Sequence, residues 1–158
     1  MGEFALVTRA YDGQGIMKYA TGDIYEGRWK NGLMHGTGRM VYAKIFDDSD
    51  EEDGEEPSKP PVFFGQFVDG KKVEGTLVYE NGDSFTGEFN SEGLRDSGCL
   101  TFKNGDEFAG LFEGGAIKSG TMTTKDTGDE YSGEFLDAVY HGSGKLTYAN
   151  GDVFAGEF

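Results

Sequence analysis

Two histidines, one cysteine and a run of carboxylates are the residues with most chemistry to offer in this 158-residue chain. His35 and His141 stand at matched places in two similar stretches more than a hundred residues apart. That spacing predicts a structural turn role for each rather than a shared catalytic or metal site. Cys99 has no CxxC companion, so it offers neither an internal disulfide nor a zinc knuckle. Between Asp47 and Glu56, eight of ten residues are acidic, and Asp48, Asp50 and Glu52 alternate as calcium ligands would. The glycine that such a loop needs is replaced by Asp53, and no helical pattern flanks it. A solvated loop is therefore expected, with regulation as its rival: Ser49 precedes Asp50, Glu51 and Glu52, a context suited to acidophilic kinases. The glycines form neither G-x-G-x-x-G nor a P-loop. No catalytic residue, cofactor or metal is predicted.

What remains is recognition chemistry, carried by aromatic side chains. An aromatic-x-Gly-x-aromatic pattern opens at Tyr25, Phe63, Phe85, Phe108, Tyr131 and Phe154, and from Phe63 onward the starts advance by 22, 23, 23 and 23 residues. Such a period marks a repeat architecture. The elements that would position the rings are legible in the stretch YSGEFLDAVYHGSGKLTY. Tyr131, Gly133 and Phe135 alternate onto one face, and Gly142, Gly144, Leu146 and Tyr148 share a face of the next run. This is a β-hairpin with one apolar face. Asn150-Gly151 is expected to turn the chain into the next strand through a type I′ turn. Met17, Met40, Leu77, Leu100, Met122 and Leu146 recur two residues before the closing position and form a core stripe, flanked by polar β-formers.

The pattern Y-x-G-x-W-x-x-G-x-x-H-G-x-G-x-x-x-Y-x-x-G-D is met by Tyr25, Gly27, Trp29, Gly32, His35, Gly36, Gly38 and Tyr42, and nearly met from Tyr131 to Asp152. On these residues the chain resembles MORN-repeat (membrane occupation and recognition nexus) proteins over essentially its whole length. It departs where Lys72-Val73 and Arg95-Asp96 replace His-Gly. The resemblance implies an all-β fold, an elongated single-layer array of antiparallel β-hairpins with one hairpin per repeat.

The expected organisation is a partial repeat over 1–24, repeats over 25–42, 63–84 and 85–107, a degenerate repeat over 108–130, and a repeat over 131–153. Residues 154–158 read as the first strand of a further repeat, so continuation of the array beyond Phe158 is expected. Residues 43–62, holding the acidic run and all three prolines, read as a disordered insert.

A formal charge of −15 opposes nucleic-acid binding, and no run of Lys and Arg offers an anchor for anionic lipid. A lone cysteine and the lack of an apolar leader suit a cytoplasmic protein. A single-layer sheet leaves its apolar face as a groove, so a partner-binding groove is expected. Its lining is Tyr25, Trp29, Tyr42, Phe67, Tyr79, Phe85 and Phe89, continued by Phe102, Phe108, Phe112, Tyr131, Phe135 and Tyr148. The acidic rim suits an amphipathic helix or basic peptide, and open sheet ends suit self-association. The resemblance implies a non-catalytic scaffold in a cytoskeletal, ciliary or membrane-associated assembly. Its alternatives are a phospholipid-binding tether and the regulatory array of a larger enzyme.

Overall fold

A computed structural model describes residues 12–43 and 59–158. The described residues are all-β, without a helix, and fall into two compact units, residues 1–81 and 82–158. In the first unit, β1 (Gly13–Lys18), β2 (Ile24–Lys30), β3 (Leu33–Val41), β4 (Val62–Val68) and β5 (Lys71–Val78) pair antiparallel in chain order. The second unit repeats that order with seven strands. They are β6 (Ser84–Phe89), β7 (Arg95–Thr101), β8 (Glu107–Glu113), β9 (Ala116–Thr123), β10 (Glu130–Leu136), β11 (Val139–Thr147) and β12 (Val153–Glu157). Of the predicted insert, residues 44–58 lie outside the described residues, as do Ser49, Asp50, Glu51 and Glu52 within it.

Register explains the glycines. In the first unit Gly15, Gly27, Gly38, Gly65 and Gly75 stand opposite one another from strand to strand. Gly87 begins a corresponding row in the second unit that runs to Gly156. The aromatic that opens each hairpin lies over this row. A Cβ on Gly38 or Gly144 would enter the ring of Tyr25 or Tyr131, and one on Gly75 would lie 2.7 Å from the Gly65 Cα and 2.9 Å from the Phe63 ring. The bare backbone is what lets the rings lie flat on the sheet.

Once flat, Tyr25, Phe85, Phe108 and Tyr131 each take the edges of two closing rings. Tyr25 meets Trp29 of its own hairpin and Phe67 of the next, both with centroids 5.0 Å apart and nearly perpendicular. In the second unit Phe85 meets Phe89 and Phe112, and Phe108 meets Phe112 and Phe135, all at 5.3 Å. Edge-to-face pairs add about 0.5–1.5 kcal/mol each beyond area burial. The herringbone thus buries Tyr25, Phe63, Phe85, Phe108 and Tyr131 completely.

The turns differ from expectation at one end. Asn150-Gly151 does not form a type I′ turn, because only Gly151 (φ 94°) has positive φ. Here the Gly151 amide donates to Tyr148 O and the Tyr148 amide to Asp152 O, closing a three-residue loop with glycine in the left-handed position. The type I′ geometry sits instead at the tips within hairpins, at Asn31-Gly32, Asp69-Gly70, Gly114-Gly115 and Asp137-Ala138, where both residues have positive φ.

Inter-repeat turns are linked by their aspartates. Asp23 Oδ1 accepts from the Ala43 amide at 2.6 Å, Asp83 from Lys103 at 2.8 Å, Asp106 from Lys125 at 3.0 Å and Asp129 from Ala149 at 3.0 Å. On either side of the insert, the Tyr42 amide donates to Pro61 O at 2.9 Å.

Candidate functional site

The aromatic face is where recognition was expected, and the structure divides it. Tyr25, Trp29, Phe67, Phe85, Phe89, Phe108, Phe112, Tyr131 and Phe135 are buried, each at most 8% exposed. These nine are core and offer no groove wall, because each ring's faces and edges are taken by neighbouring rings. Phe63 is buried with them, and Tyr140 stacks on Tyr131 with centroids 3.9 Å apart. Tyr42, Tyr79 and Phe102 remain half-buried, and Tyr148 is exposed. Alternation from the core residues Met40, Leu77, Leu100 and Leu146 puts all four on the ring-bearing face, beside the inter-repeat turns.

Hydrogen bonds hold the polar tips. Tyr25 Oη donates to Arg28 O and Tyr131 Oη to Glu134 O, both at 2.8 Å, while Trp29 Nε1 donates to Gly15 O at 3.2 Å. The acceptors for the tyrosines come from β-bulges. Between the pairs Gly27↔Gly38 and Trp29↔Met34 the second strand carries two extra residues, and Gly142 and Ser143 are extra between Gly133↔Gly144 and Glu134↔His141. His35 therefore lies within a widened bulge and His141 directly beside one, both inside strands rather than in turns. Where Phe opens the hairpin only one residue is extra, at Val73, Asp96 or Lys118.

The positions that broke the His-Gly pattern put two cations on the ring face. Lys72 Nζ lies 3.4 Å from Tyr42 Oη and within 6 Å of the Tyr42 and Phe63 ring centroids, and its burial lowers the ammonium pKa. Arg95 lies over Phe112, 5.0 Å from its centroid, and donates through Nε and Nη2 to Gly115 O at 3.0 and 2.7 Å. Neither was legible as a site residue. The signal was that each stands where the sequence pattern has histidine; register puts each opposite the closing aromatic, the place of Met34 and Tyr140 in the Tyr-opened hairpins.

Acidic groups border the same face. Burial, then Asp23, raises the phenol pKa of Tyr19 and of Tyr42. Burial raises that of Tyr140 as well, followed by Asp129, with a smaller contribution from Asp106. Asp23, Asp106 and Asp129 thus lie near the phenols of this face.

The opposite face holds what the linear sequence concealed. Lys18, Arg28, Lys30, Arg39 and Lys71 are scattered along the first 71 residues, yet alternation and register bring all five to the outer face of the first unit, exposed. The expectation of no basic cluster is corrected by this pairing.

Among the described residues no group of three or more potential ligands could hold a metal ion. The family model of the MORN repeat matches residues 10–24, 25–44, 63–84 and 131–153, about half of the chain. Comparison with curated proteins found no match.

Proposed function

The chain belongs to the MORN-repeat family, and we propose that it is a non-catalytic protein-interaction scaffold whose ring-bearing face seats an amphipathic helix or an extended basic peptide. One observation carries this reading. A face floored by buried, interlocked rings keeps a line of half-exposed to exposed aromatics, Tyr42 and Tyr79 in one unit, Phe102 and Tyr148 in the other. The floor is rigid, because each buried ring meets at least one other edge to face, so little side-chain entropy is lost when a partner docks on it. The aspartates that raise the tyrosine pKa values would meet a partner's Lys or Arg, and the exposed ring edges its apolar side chains.

The test begins with peptides selected against the folded chain from a library of basic amphipathic sequences. The best binder is then titrated against the Phe102→Ala/Tyr148→Ala double variant. Both side chains lie outside the buried herringbone, so the variant is expected to melt within a few degrees of wild type. A loss of affinity of about ten-fold or more supports the seat, that factor corresponding to about 1.4 kcal/mol. Unchanged affinity in a folded variant overturns it.

A further inference from the structure

The two units differ on the face that points away from the rings. In the first, the five cations are opposed by only Glu26 and Glu74, and none of the five forms an ion pair among the described residues. Bulky apolar side chains stand among them. Register places Ile16, Glu26, Arg39 and Phe64 side by side across four strands, with Ile16 65% and Phe64 56% exposed. The next row starts at Lys18 and continues through the β-branched Ile24, Val41, Val62 and Val78. In a chain of net charge −15 this is a basic, protruding, apolar surface.

The outer face of the second unit has the complementary character. Glu88, Glu107, Glu130, Glu134 and Glu157 are exposed on it. Its middle row begins with small side chains, Thr86, Cys99, Ala109, Thr121 and Ser132, with Thr121 and Ser132 joined by a 2.9 Å hydrogen bond, and ends in Lys145 and Ala155. The small side chains of that row leave room for the protruding Phe64 and Ile16, and the exposed Leu111 and Leu136 on the same face add apolar area. Carboxylates at the margin would meet the guanidinium and ammonium groups.

We infer that the chain self-associates, the outer face of strands β1–β5 of one copy lying on the outer face of strands β6–β12 of another. Exposed ion pairs contribute little singly, so the apolar side chains supply the attraction while the charges fix which face meets which. The contact is heterologous, since two different surfaces meet, and each copy carries one of each. This inference concerns the face opposite the peptide seat and stands independently of it.

Sedimentation velocity of the full chain tests it, with concentration raised through the micromolar range at about 0.05 M and about 0.5 M salt. Concentration-dependent association is expected at the lower salt and should weaken at least about ten-fold at the higher. Two variants carry the decision. Arg28→Glu/Arg39→Glu makes both faces acidic, and Glu107→Arg/Glu130→Arg makes both basic, so each alone is expected to be monomeric. Mixed in equal amounts they should associate again, because each then offers what the other lacks. Circular dichroism melting of each variant separates lost association from lost fold, and recovery in the mixture requires both to be folded.

A wild type that stays monomeric throughout, or association that neither charge reversal weakens, overturns the inference. So does a monomer that sediments with phosphatidylserine-containing vesicles and loses them on Arg28→Glu/Arg39→Glu, which assigns the basic face to lipid.

Discussion

In the hairpins β2–β3 and β10–β11, opened by Tyr25 and Tyr131, two residues bulge from the second strand. In β4–β5, β6–β7 and β8–β9, opened by phenylalanine, only one does. All five keep the Gly–Gly pair, and all bury the opening ring completely. The hydroxyl accounts for the difference. A buried phenol needs an acceptor, and Arg28 O and Glu134 O supply one where the bulge is wide. Phenylalanine makes no such demand, and the narrower bulge closes behind it. The bulge is thus matched to one oxygen atom.

The largest expected effect comes from the shared glycine row. Gly144→Ala and Gly75→Ala should each destabilise by about 3 kcal/mol or more in denaturant unfolding, through overpacking. The two should answer differently to relief. At Gly144 the nearest obstacle is the Tyr131 ring, so adding Tyr131→Leu should recover about 1 kcal/mol or more of what the two single changes sum to. At Gly75 the backbone, Phe64 O and the Gly65 Cα, is also in the way, and φ is +152°. Phe63→Leu should bring no comparable recovery there. Equal coupling in the two hairpins would break the comparison.

Exchange of the rings themselves is the next test. Tyr131→Phe leaves the carbonyl oxygens of Glu134 and His141 without their hydroxyl donor, and is expected to cost about 1–2 kcal/mol. Phe85→Tyr puts a hydroxyl where the bulge is narrow and should cost about 1–3 kcal/mol through an unsatisfied buried donor. A neutral result for either exchange would uncouple bulge from ring.

The same exchange should be visible in alkali. Burial, ahead of other causes, raises the pKa of Tyr25 and Tyr131 in the folded chain. Their contribution is complete below the unfolded value near 10 and is lost as pH rises through the folded values. Lys72 runs the other way, since its folded pKa is lowered and its burden on stability lifts as pH rises toward its unfolded value. Tyr131→Phe should accordingly flatten the alkaline fall in melting temperature.

The smallest effect concerns the hairpin tips. Asn31-Gly32 suits two positive φ values, whereas Ala138 takes φ 64° with a Cβ in place. Ala138→Gly should stabilise by about 1 kcal/mol, read as a rise in melting temperature. The equivalent change is already present at Gly32.

Period, alternation and the aromatic-Gly-aromatic motif were enough to read the hairpins, their order and the face that carries the rings. Burial of the rings was not legible. A single layer suggested an open groove, but rings that lie flat over paired glycines cover one another, and that depends on cross-strand register. The type I′ turn was assigned to Asn150-Gly151 because the dipeptide favours it. The Tyr148–Asp152 pairing imposes a longer loop, and Asp69-Gly70 and Asn31-Gly32 take the tight turns instead. Lys72 and Arg95 looked like lapses from a pattern, and only the structure shows them lying over rings. The basic face was hidden for a similar reason, as five cations spread over 54 residues come to share one face only when strands are paired.

In four inter-repeat turns the aspartate holds an amide 19 or 20 residues further on. Such a bond is a ruler laid along the gene. A whole repeat can be duplicated or lost in frame, and every surviving aspartate still finds an amide at the right distance. A partial deletion breaks the measure at once. The insert, residues 43–62, leaves the rule intact because the first interval closes at its first residue, Ala43. Arrays of this kind are therefore free to change length over evolutionary time only in whole steps, and to take new sequence only where a step ends.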